Sequence, residues 1–457
     1  MVEWIQSDER EEYDKQVQWC DLPSPALEKI YYFASREDQL NMSVVCRKWS
    51  EGFRSPYVCK KFRFDMTESQ LSIRTCPRMK FVQKYSSMFR HVEVFYKFSW
   101  EKHLMYTWCK HFQVFLQTLA SKTQLISINF REFSHCMEHT DNSSHEKICR
   151  VIANFLESQH HLKRVEFHNC DFRSYEGAQL LKKLITNNRE SLTHLVLRRF
   201  VRWNYTEEEE DSNAVIHLPT LLDLPRFTSL ETEYLPTFVI MFDCQSDANE
   251  TLKNRQTRVP QKIILNYHWD YEEIAEVGGL TSTDWKFLKK IYPDLEVEFD
   301  FTTDSHSLRE VELLIMPNMP ITRLDYRYEH KFRLHLIPYR EVDVLFDHLL
   351  ACKTNDHLVS LHFRWSRLIF NLASIFIPFL LACKKLKCLE LFIPYSTGGI
   401  HLLLESWLEN RPESLEKVHI VISGFKDDYD IMNLTTVYVN RLRLVGLNVD
   451  VDFKFHR

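Results

Sequence analysis

The hexapeptide LKCLEL, at residues 386–391, carries leucine at its first, fourth and sixth positions. Segments with the same apolar spacing begin at residues 358 and 415, so the repeat unit in this region is roughly 30 residues long. Short apolar runs of this length are typical of buried strands. A strand pattern that returns at a near-constant interval indicates a solenoid, in which each unit buries the apolar face of its neighbour.

The same spacing recurs over most of the chain. Predicted strands with this pattern lie at 125–130, 162–167, 192–197, 321–326, 358–363, 386–391, 415–420 and 434–439, and looser ones lie at 58–64, 89–95 and 294–299. Amphipathic stretches between them predict helices at 145–159, 178–190, 340–353 and 375–384. We therefore predict an α/β fold over residues 56–457, an irregular leucine-rich-repeat solenoid with parallel strands and the helices outside. An ordinary parallel sheet also alternates strands with helices, and this alternative stays open.

Residues 21–55 have a different pattern, with clear signals for helix ends. Ser24 is a suitable N-cap, and Pro25 suits the first helical position. A capping box at 35–38 predicts a second helix. In that helix four side chains have the spacing of a single face, namely Met42, Val45, Cys46 and Trp49. We interpret Cys46 as a small apolar residue of that face, although the adjacent arginine and lysine leave a reactive thiolate as an alternative.

This stretch resembles an F-box. The matching positions, in order and without a gap, are Leu22, Pro23, Leu27, Ile30, Asp38, Ser43, Val45, Cys46, Arg47 and Trp49. Three positions depart from the family pattern, because Pro25 stands in place of glutamate and Ala34 and Gln39 stand in place of leucine. The repeats that follow resemble, more weakly, the leucine-rich repeats that often come after an F-box.

The resemblance implies a substrate-recognition subunit of an SCF-type ubiquitin ligase, which is not itself an enzyme. In that family the F-box docks on a Skp-family adaptor, which leads to cullin and RING subunits, and the repeats hold a protein substrate. The residues expected to bind the adaptor are Leu22, Pro23, Leu27, Ile30, Tyr31, Val45, Cys46 and Trp49. A leucine-rich-repeat interaction scaffold that acts outside a ubiquitin ligase is the alternative.

The expected organisation has three parts. A polar tail covers residues 1–18, the F-box covers 19–55, and the repeat domain runs from 56 to 457 with an acidic loop near 204–214. A run of like charges of this kind is usually a solvated loop, and contact with a basic partner is the other interpretation.

Motifs for catalysis and metal binding are missing from the sequence. It contains no C-x2-C pair, no G-x-S-x-G and no H-E-x-x-H, and its 8 glycines form no phosphate-binding loop. We therefore expect no catalytic residue, no metal and no cofactor, with ubiquitin chemistry carried out by partner subunits.

Charge and composition restrict the partners and the compartment. Lys and Arg number 58 against 63 Asp and Glu, so the chain lacks the basic surplus of a nucleic-acid binder. No apolar run reaches the roughly 18 residues that a membrane span needs, and no signal peptide is visible. The 12 cysteines are spread singly. We expect a cytoplasmic or nuclear protein with reduced thiols, without membrane or nucleic-acid partners.

The substrate-binding residues are unknown from the sequence. Candidate contacts follow predicted strands, and they are Arg198, Arg199, Trp203, Trp365 and Arg367. Exposed Trp and Arg side chains often dominate protein interfaces, which is the reason for the choice. Packing or ordinary solvated surface is the alternative for each of them.

Overall fold

A computed structural model gives the fold of the chain. It describes residues 19–34, 36–65, 76–96, 102–202, 224–234, 262–268, 279–304, 309–329, 342–395, 397–425 and 429–455. The chain divides into two compact units, Met1–Leu162 and Lys163–Arg457. The acidic stretch 204–214 and Trp203 lie outside the described residues.

The first unit begins with a helical module. A 3-10 turn at Trp19–Asp21 precedes four helices, α1 (Ser24–Phe33), α2 (Arg36–Ser43), α3 (Arg47–Phe53) and α4 (Pro56–Cys59). The predicted cap at Ser24 is wrong. Ser24 already lies in the first turn of α1, and Pro23 takes the N-cap position with an extended backbone. Pro25 is consequently the second residue of α1 and not the first, and it is tolerated there because first-turn N–H groups have no helical acceptor.

The rest of the first unit alternates strands with helices. Its strands are β1 (Lys61–Asp65), β2 (His91–Phe95) and β3 (Ser127–Arg131), and its helices are α5 (Pro77–Tyr85), α6 (Lys102–Lys122), α7 (Ser134–His139) and α8 (Asn142–Ser158). β1 pairs with β2 and β2 with β3, both in parallel. Such pairing needs a crossover between strands, which the long helices supply.

The second unit continues the same alternation. Its strands are β4 (Arg164–His168), β5 (His194–Arg198), β6 (Ser229–Glu233), β7 (Lys262–His268), β8 (Glu296–Thr303), β9 (Ile321–Tyr328), β10 (Ser360–Trp365), β11 (Cys388–Pro394), β12 (Lys417–Phe425) and β13 (Asn448–Phe455). Its helices are α9 (Ser174–Asn188), α10 (Ser282–Ile291), α11 (Arg309–Leu314), α12 (Val342–Ala351), α13 (Leu372–Ala382), α14 (Ile400–Glu409) and α15 (Tyr429–Leu444).

Each strand of the second unit pairs in parallel with the next strand along the chain, from β4 to β13. Chain order and strand order are therefore the same, as in a solenoid. The predicted α/β class, with a helical start followed by parallel strands and helices, is confirmed.

Alternate side chains of each strand build the core. In β10 the buried residues are Leu361, Phe363 and Trp365, and in β11 Leu389, Leu391 and Ile393 take the matching positions. Phe363 stacks on Tyr326 of the preceding strand, with ring centroids 5.9 Å apart. The intervening residues of each strand form the opposite, partly exposed face of the sheet.

One predicted strand is wrong. Residues 434–439 belong to helix α15, in which Thr435, Val439 and Leu442 are buried while Leu434 and Val437 are exposed. An apolar spacing of three fits a helix turn as well as this strand motif, and the buried helical stripe is the one that packing selects. The last strand of the sheet is instead β13, which lacks the leading apolar residue of the motif.

The apolar segment 368–383 contains helix α13, with Pro378 inside it and Phe376 and Leu380 fully buried. It is therefore a core helix, and it overlaps the helix predicted at 375–384. In the described part of the chain, no helix is both long and apolar enough to cross a membrane.

Candidate protein-docking site

The core of the helical module is small and mostly aromatic. Tyr31 of α1 and Phe53 of α3 are buried with ring centroids 5.9 Å apart, and Val58 of α4 packs with them. Gly52 lets α3 approach α1, because a Cβ at this position would lie 3.3 Å from the Tyr31 ring and 3.5 Å from Leu27. The module therefore depends on a few close contacts between short helices.

Side-chain hydrogen bonds connect α3 to α1 and to the 3-10 turn. The Tyr31 hydroxyl donates to the backbone oxygen of Trp49 at 2.8 Å, and the Trp49 indole donates to the backbone oxygen of Trp19 at 3.0 Å. Burial, followed by the electrostatic effect of Cys46, raises the pKa of Tyr31 to about 12. Tyr31 thus remains a hydrogen-bond donor throughout the physiological pH range.

The prediction of one continuous helix through Cys46 is wrong. α2 ends at Ser43, α3 begins at Arg47, and Cys46 between them is extended, with φ −157° and ψ 171°. Two β-branched valines, Val44 and Val45, precede this residue, and their stiff side chains lower helix propensity. The break turns both valines outward, where 82% and 66% of their surfaces are exposed.

Gln39 has a structural use in this module. Its side-chain amide donates to the backbone oxygens of Tyr31 and Ala34, at 2.7 Å and 3.2 Å. These oxygens lie at the C-terminal end of α1, where carbonyl groups lack helical donors. The departure from leucine at this position thus supplies an end cap for α1.

Exposed apolar side chains are concentrated in this module. Among the described residues it contributes Trp19, Tyr32, Phe33, Val44, Val45 and Tyr57 to the large hydrophobic side chains that face solvent. We call Tyr32, Phe33 and Tyr57 the aromatic patch. Tyr32 lies 5.4 Å from Phe33 and 6.2 Å from Tyr57, measured between ring centroids. A contiguous exposed patch of this kind is typical of a protein-interaction site.

Two lysines border the aromatic patch. The Lys60 ammonium lies 3.7 Å from the centre of the Tyr57 ring, and the Lys61 ammonium lies 5.2 Å from that of Tyr32. Cations over aromatic faces are attracted by the ring quadrupole, so the border of the patch is basic.

The structure separates the predicted adaptor-binding residues into two groups. Leu27 and Tyr31 are buried in the module itself, with 1% and 0% of their surfaces exposed. The others reach the surface in part or fully, and they are Leu22, Pro23, Ile30, Val45, Cys46 and Trp49. Leu27 and Tyr31 therefore pack inside the module, while the side chains of the second group are accessible at its surface.

Sequence reasoning missed the aromatic patch, although a signal for it exists. Tyr31, Tyr32 and Phe33 are consecutive in α1. Successive residues of a helix point about 100° apart, so three consecutive aromatic side chains cannot all face one core. At least one of them had to lie at the surface.

The predicted substrate contacts have different surroundings. Arg198 pairs with Glu231, and Arg199 lies 3.6 Å from Asp171, with 62% of its side chain exposed. Arg367 lies over the ring of Tyr328. Trp365, by contrast, is only 2% exposed, because it stacks in the aromatic core of the sheet. Its proposed role as a surface contact is wrong.

Residues 19–61 match the F-box domain. The match covers the helical module described above and the first residue of β1. No curated protein matches the chain significantly. The chain thus contains an F-box domain. F-box domains bind Skp-family adaptors, and the presence of one here supports a role as an adaptor-binding subunit of an SCF complex. Proteins with this domain are typically non-catalytic subunits of ubiquitin ligases.

Proposed function

We propose that this protein is the substrate-recognition subunit of an SCF-type ubiquitin ligase. Its F-box domain docks on a Skp-family adaptor, which connects it to cullin and RING subunits. The single observation that carries the proposal is the F-box match at 19–61. The work of such a subunit lies in the cytoplasm or the nucleus, where its cysteines stay reduced.

The surface of the module supports adaptor docking. Val44 and Val45 stand at the turn between α2 and α3 with most of their surfaces in water, and Pro23 is exposed at the start of α1. Apolar side chains at such positions gain free energy when a partner removes them from solvent. We assign the adaptor contact to the partly or fully exposed group of predicted residues, with Leu22 and Val45 as its centre.

We further propose that the α/β region is an irregular leucine-rich-repeat domain and that it binds the protein substrate. Two features support this. Its strands follow chain order in parallel, and the apolar-x-x-apolar-x-apolar motif ends in buried strand residues such as Phe363 and Leu391. Parallel strands of a solenoid offer an extended face to a partner. Arg198, Arg199 and Arg367 remain candidate contacts on this region.

An interaction scaffold outside any ligase is the competing function. A scaffold whose F-box binds the adaptor outside a ligase shares the adaptor contact with a ligase subunit, so adaptor binding alone does not separate the two functions. Cullin does, because only a ligase subunit carries cullin into the same complex. Purification of the tagged chain with proteasome activity blocked, followed by detection of adaptor, cullin and accumulated substrate, is the experiment that distinguishes the two.

The adaptor contact is tested with a double variant, Leu22→Asp with Val45→Asp. Two charges placed in a desolvated interface cost at least about 2 kcal/mol, a loss of roughly thirtyfold in adaptor affinity. Affinity is measured by titration of purified full-length chain with adaptor. Circular dichroism of the variant shows whether the module remains folded.

Phe370→Asp is the matched control. Phe370 is 70% exposed, similar to Val45, but it lies in the second unit. Its adaptor affinity is expected to equal that of the unmodified chain. Undiminished adaptor binding by the folded double variant contradicts the proposed contact, and a loss in both variants shows that the effect is not specific to the F-box.

A further inference from the structure

A histidine, a cysteine and a glutamate meet on two neighbouring strands of the second unit. His362 lies on β10, while Cys388 and Glu390 lie on β11. The parallel register places His362 directly opposite Glu390. Cys388 comes two residues before Glu390, so both side chains leave the strand on the same face.

The distances within this triad suit a common ligand. The His362 Nδ1 atom lies 3.2 Å from a carboxylate oxygen of Glu390. One ligand atom from each of the three residues lies within 4.8 Å of the other two. Nitrogen and oxygen atoms bound to one tetrahedral ion at about 2.0 Å are about 3.3 Å apart, so two of the three atoms already have that separation.

The strands hold these side chains in place without covering them. Leu361, Phe363, Leu389 and Leu391, which flank the triad in sequence, are buried on the opposite face of the sheet. The side chains of His362 and Glu390 are 22% and 39% exposed. Ligands on paired strands are positioned more rigidly than ligands on loops, and their open side leaves room for a further ligand.

We propose that His362, Cys388 and Glu390 form a binding site for a divalent transition-metal ion of the zinc type, with a fourth position open to water. A nitrogen, a thiolate and a single carboxylate make a donor set that zinc accepts, whereas calcium and magnesium require mostly oxygen ligands. On binding, the thiol of Cys388 loses its proton to solvent, and a sulfur–metal bond forms in its place. This site does not depend on the ligase function.

Charge balance permits the ion. The Cys388 thiolate and the Glu390 carboxylate together neutralise a dication. Arg327, one of two arginines near His362, is engaged by Asp325 at 2.8 Å and by Asp300 at 3.3 Å. Arg323 also faces His362, and Lys417 stands opposite Cys388 in the strand register. The positive charges of Arg323 and Lys417 weaken cation binding, and so they limit the affinity of the site for the metal ion.

A second group on the same sheet provides an internal comparison. His419, Asp450 and Asp452 also offer ligand atoms within 4.8 Å of one another, and His419 lies 3.1 Å from Asp452. This group has no thiolate, and Asp450 and Asp452 are exposed. Zinc-type ions prefer sites with sulfur and nitrogen donors, so the second group is the matched control.

The test uses the full chain after metal removal with a chelator, titrated with Co²⁺ and then with Zn²⁺. Bound Co²⁺ should show the near-ultraviolet charge-transfer absorption of a cobalt–thiolate bond, and Zn²⁺ should displace it. Cys388→Ser should abolish this absorption. His362→Ala and Glu390→Gln should each weaken Co²⁺ binding by at least about tenfold.

His419→Ala should bind Co²⁺ as tightly as the unmodified chain. Thermal unfolding of each metal-free variant shows that the sheet remains folded, and added Zn²⁺ should raise the unfolding temperature only where the triad is intact. The proposal is overturned if Cys388→Ser keeps the cobalt–thiolate absorption, or if His419→Ala abolishes metal binding while His362→Ala does not.

Discussion

The F-box module and the parallel sheet of the second unit differ in how completely they bury their large apolar side chains. Among the described residues, the 43-residue match at 19–61 exposes six large hydrophobic side chains, whereas the much longer unit at 163–457 exposes eight. The sheet covers its apolar residues by stacking one strand against the next. The module leaves some of its own uncovered, which is the property of a fold completed by a partner.

The source of stability differs accordingly. In the sheet, Phe363 touches the rings of Tyr326, Phe346 and Phe376, from one strand and two helices. In the module, the buried aromatic pair Tyr31 and Phe53 is supplemented by single hydrogen bonds between short helices. Core packing thus carries the sheet, while the module owes a larger share to individual polar contacts.

The largest expected effect is in the sheet core. Phe363→Ala removes a 2% exposed ring that is packed against other aromatic rings, and it should lower the free energy of unfolding by about 3 to 5 kcal/mol. Phe370→Ala, a truncation of a 70% exposed ring in the same unit, should change it by no more than about 0.5 kcal/mol. Urea unfolding followed by circular dichroism measures both. Equal losses contradict the assignment of stability to the stacked core.

A second effect in the sheet depends on pH. Glu233, at the end of β6, is 7% exposed, and burial raises its pKa from 4.5 to about 7, with the charge of Asp171 adding to the shift. A hydrogen bond from the backbone N–H of Arg199 opposes the shift. The folded chain therefore binds a proton that the unfolded chain has already released between pH 4.5 and 7.

The contribution of Glu233 to the free energy of unfolding should therefore be complete below pH 4.5. It should be lost as the pH rises through 7, and the total change should be about 3 kcal/mol. Glu233→Gln resembles the protonated acid and should remove this dependence. Glu231→Gln, two residues earlier on the same strand, should keep it. The measurement is urea unfolding at a series of pH values; a slope that survives Glu233→Gln assigns the dependence to another group.

The third effect is in the module. Tyr31→Phe keeps the ring but removes the hydroxyl that donates to the Trp49 backbone, and it should cost about 1 to 1.5 kcal/mol. Tyr57→Phe, at a 45% exposed position, should be neutral. If the two variants are equally stable by thermal unfolding, the hydrogen bond contributes little and the comparison between the two regions loses one of its supports.

The strand motif predicted most of the sheet because burial and chain order agree with it. The motif did not predict three strands, β6, β7 and β13, for identifiable reasons. In β6 the third motif position is Thr232, which is buried although it is polar. The leading apolar position of the motif lies three residues before the first buried strand residue. It is occupied by Pro260 for β7 and by Gly446 for β13. Residues 434–439 carried the motif but form a helix, because a spacing of three satisfies both structures.

The module was located by its family pattern, but its surface was not. The apolar periodicity of Val45, Cys46 and Trp49 fits a helix, and no glycine or proline announces the break before Arg47. The metal-ligand triad of the sheet was not predicted from the sequence, for another reason. His362 and Cys388 are distant in sequence, and only the pairing of β10 with β11 brings them together. Short-spacing motifs cannot detect ligands that meet across strands.

The smallest expected effect concerns the end of α1. Gln39→Leu restores the residue type of the family pattern but removes the donor to the Tyr31 and Ala34 oxygens, and it should cost about 1 kcal/mol of module stability. Gln39→Glu is the informative companion, because it keeps the length of the side chain but replaces the donor with an acceptor. It should be at least as destabilising as the leucine. Thermal unfolding of both variants measures these losses of stability. A stabilised leucine variant indicates that apolar packing outweighs the polar cap, and that the module resembles the sheet more closely than its exposed side chains suggest.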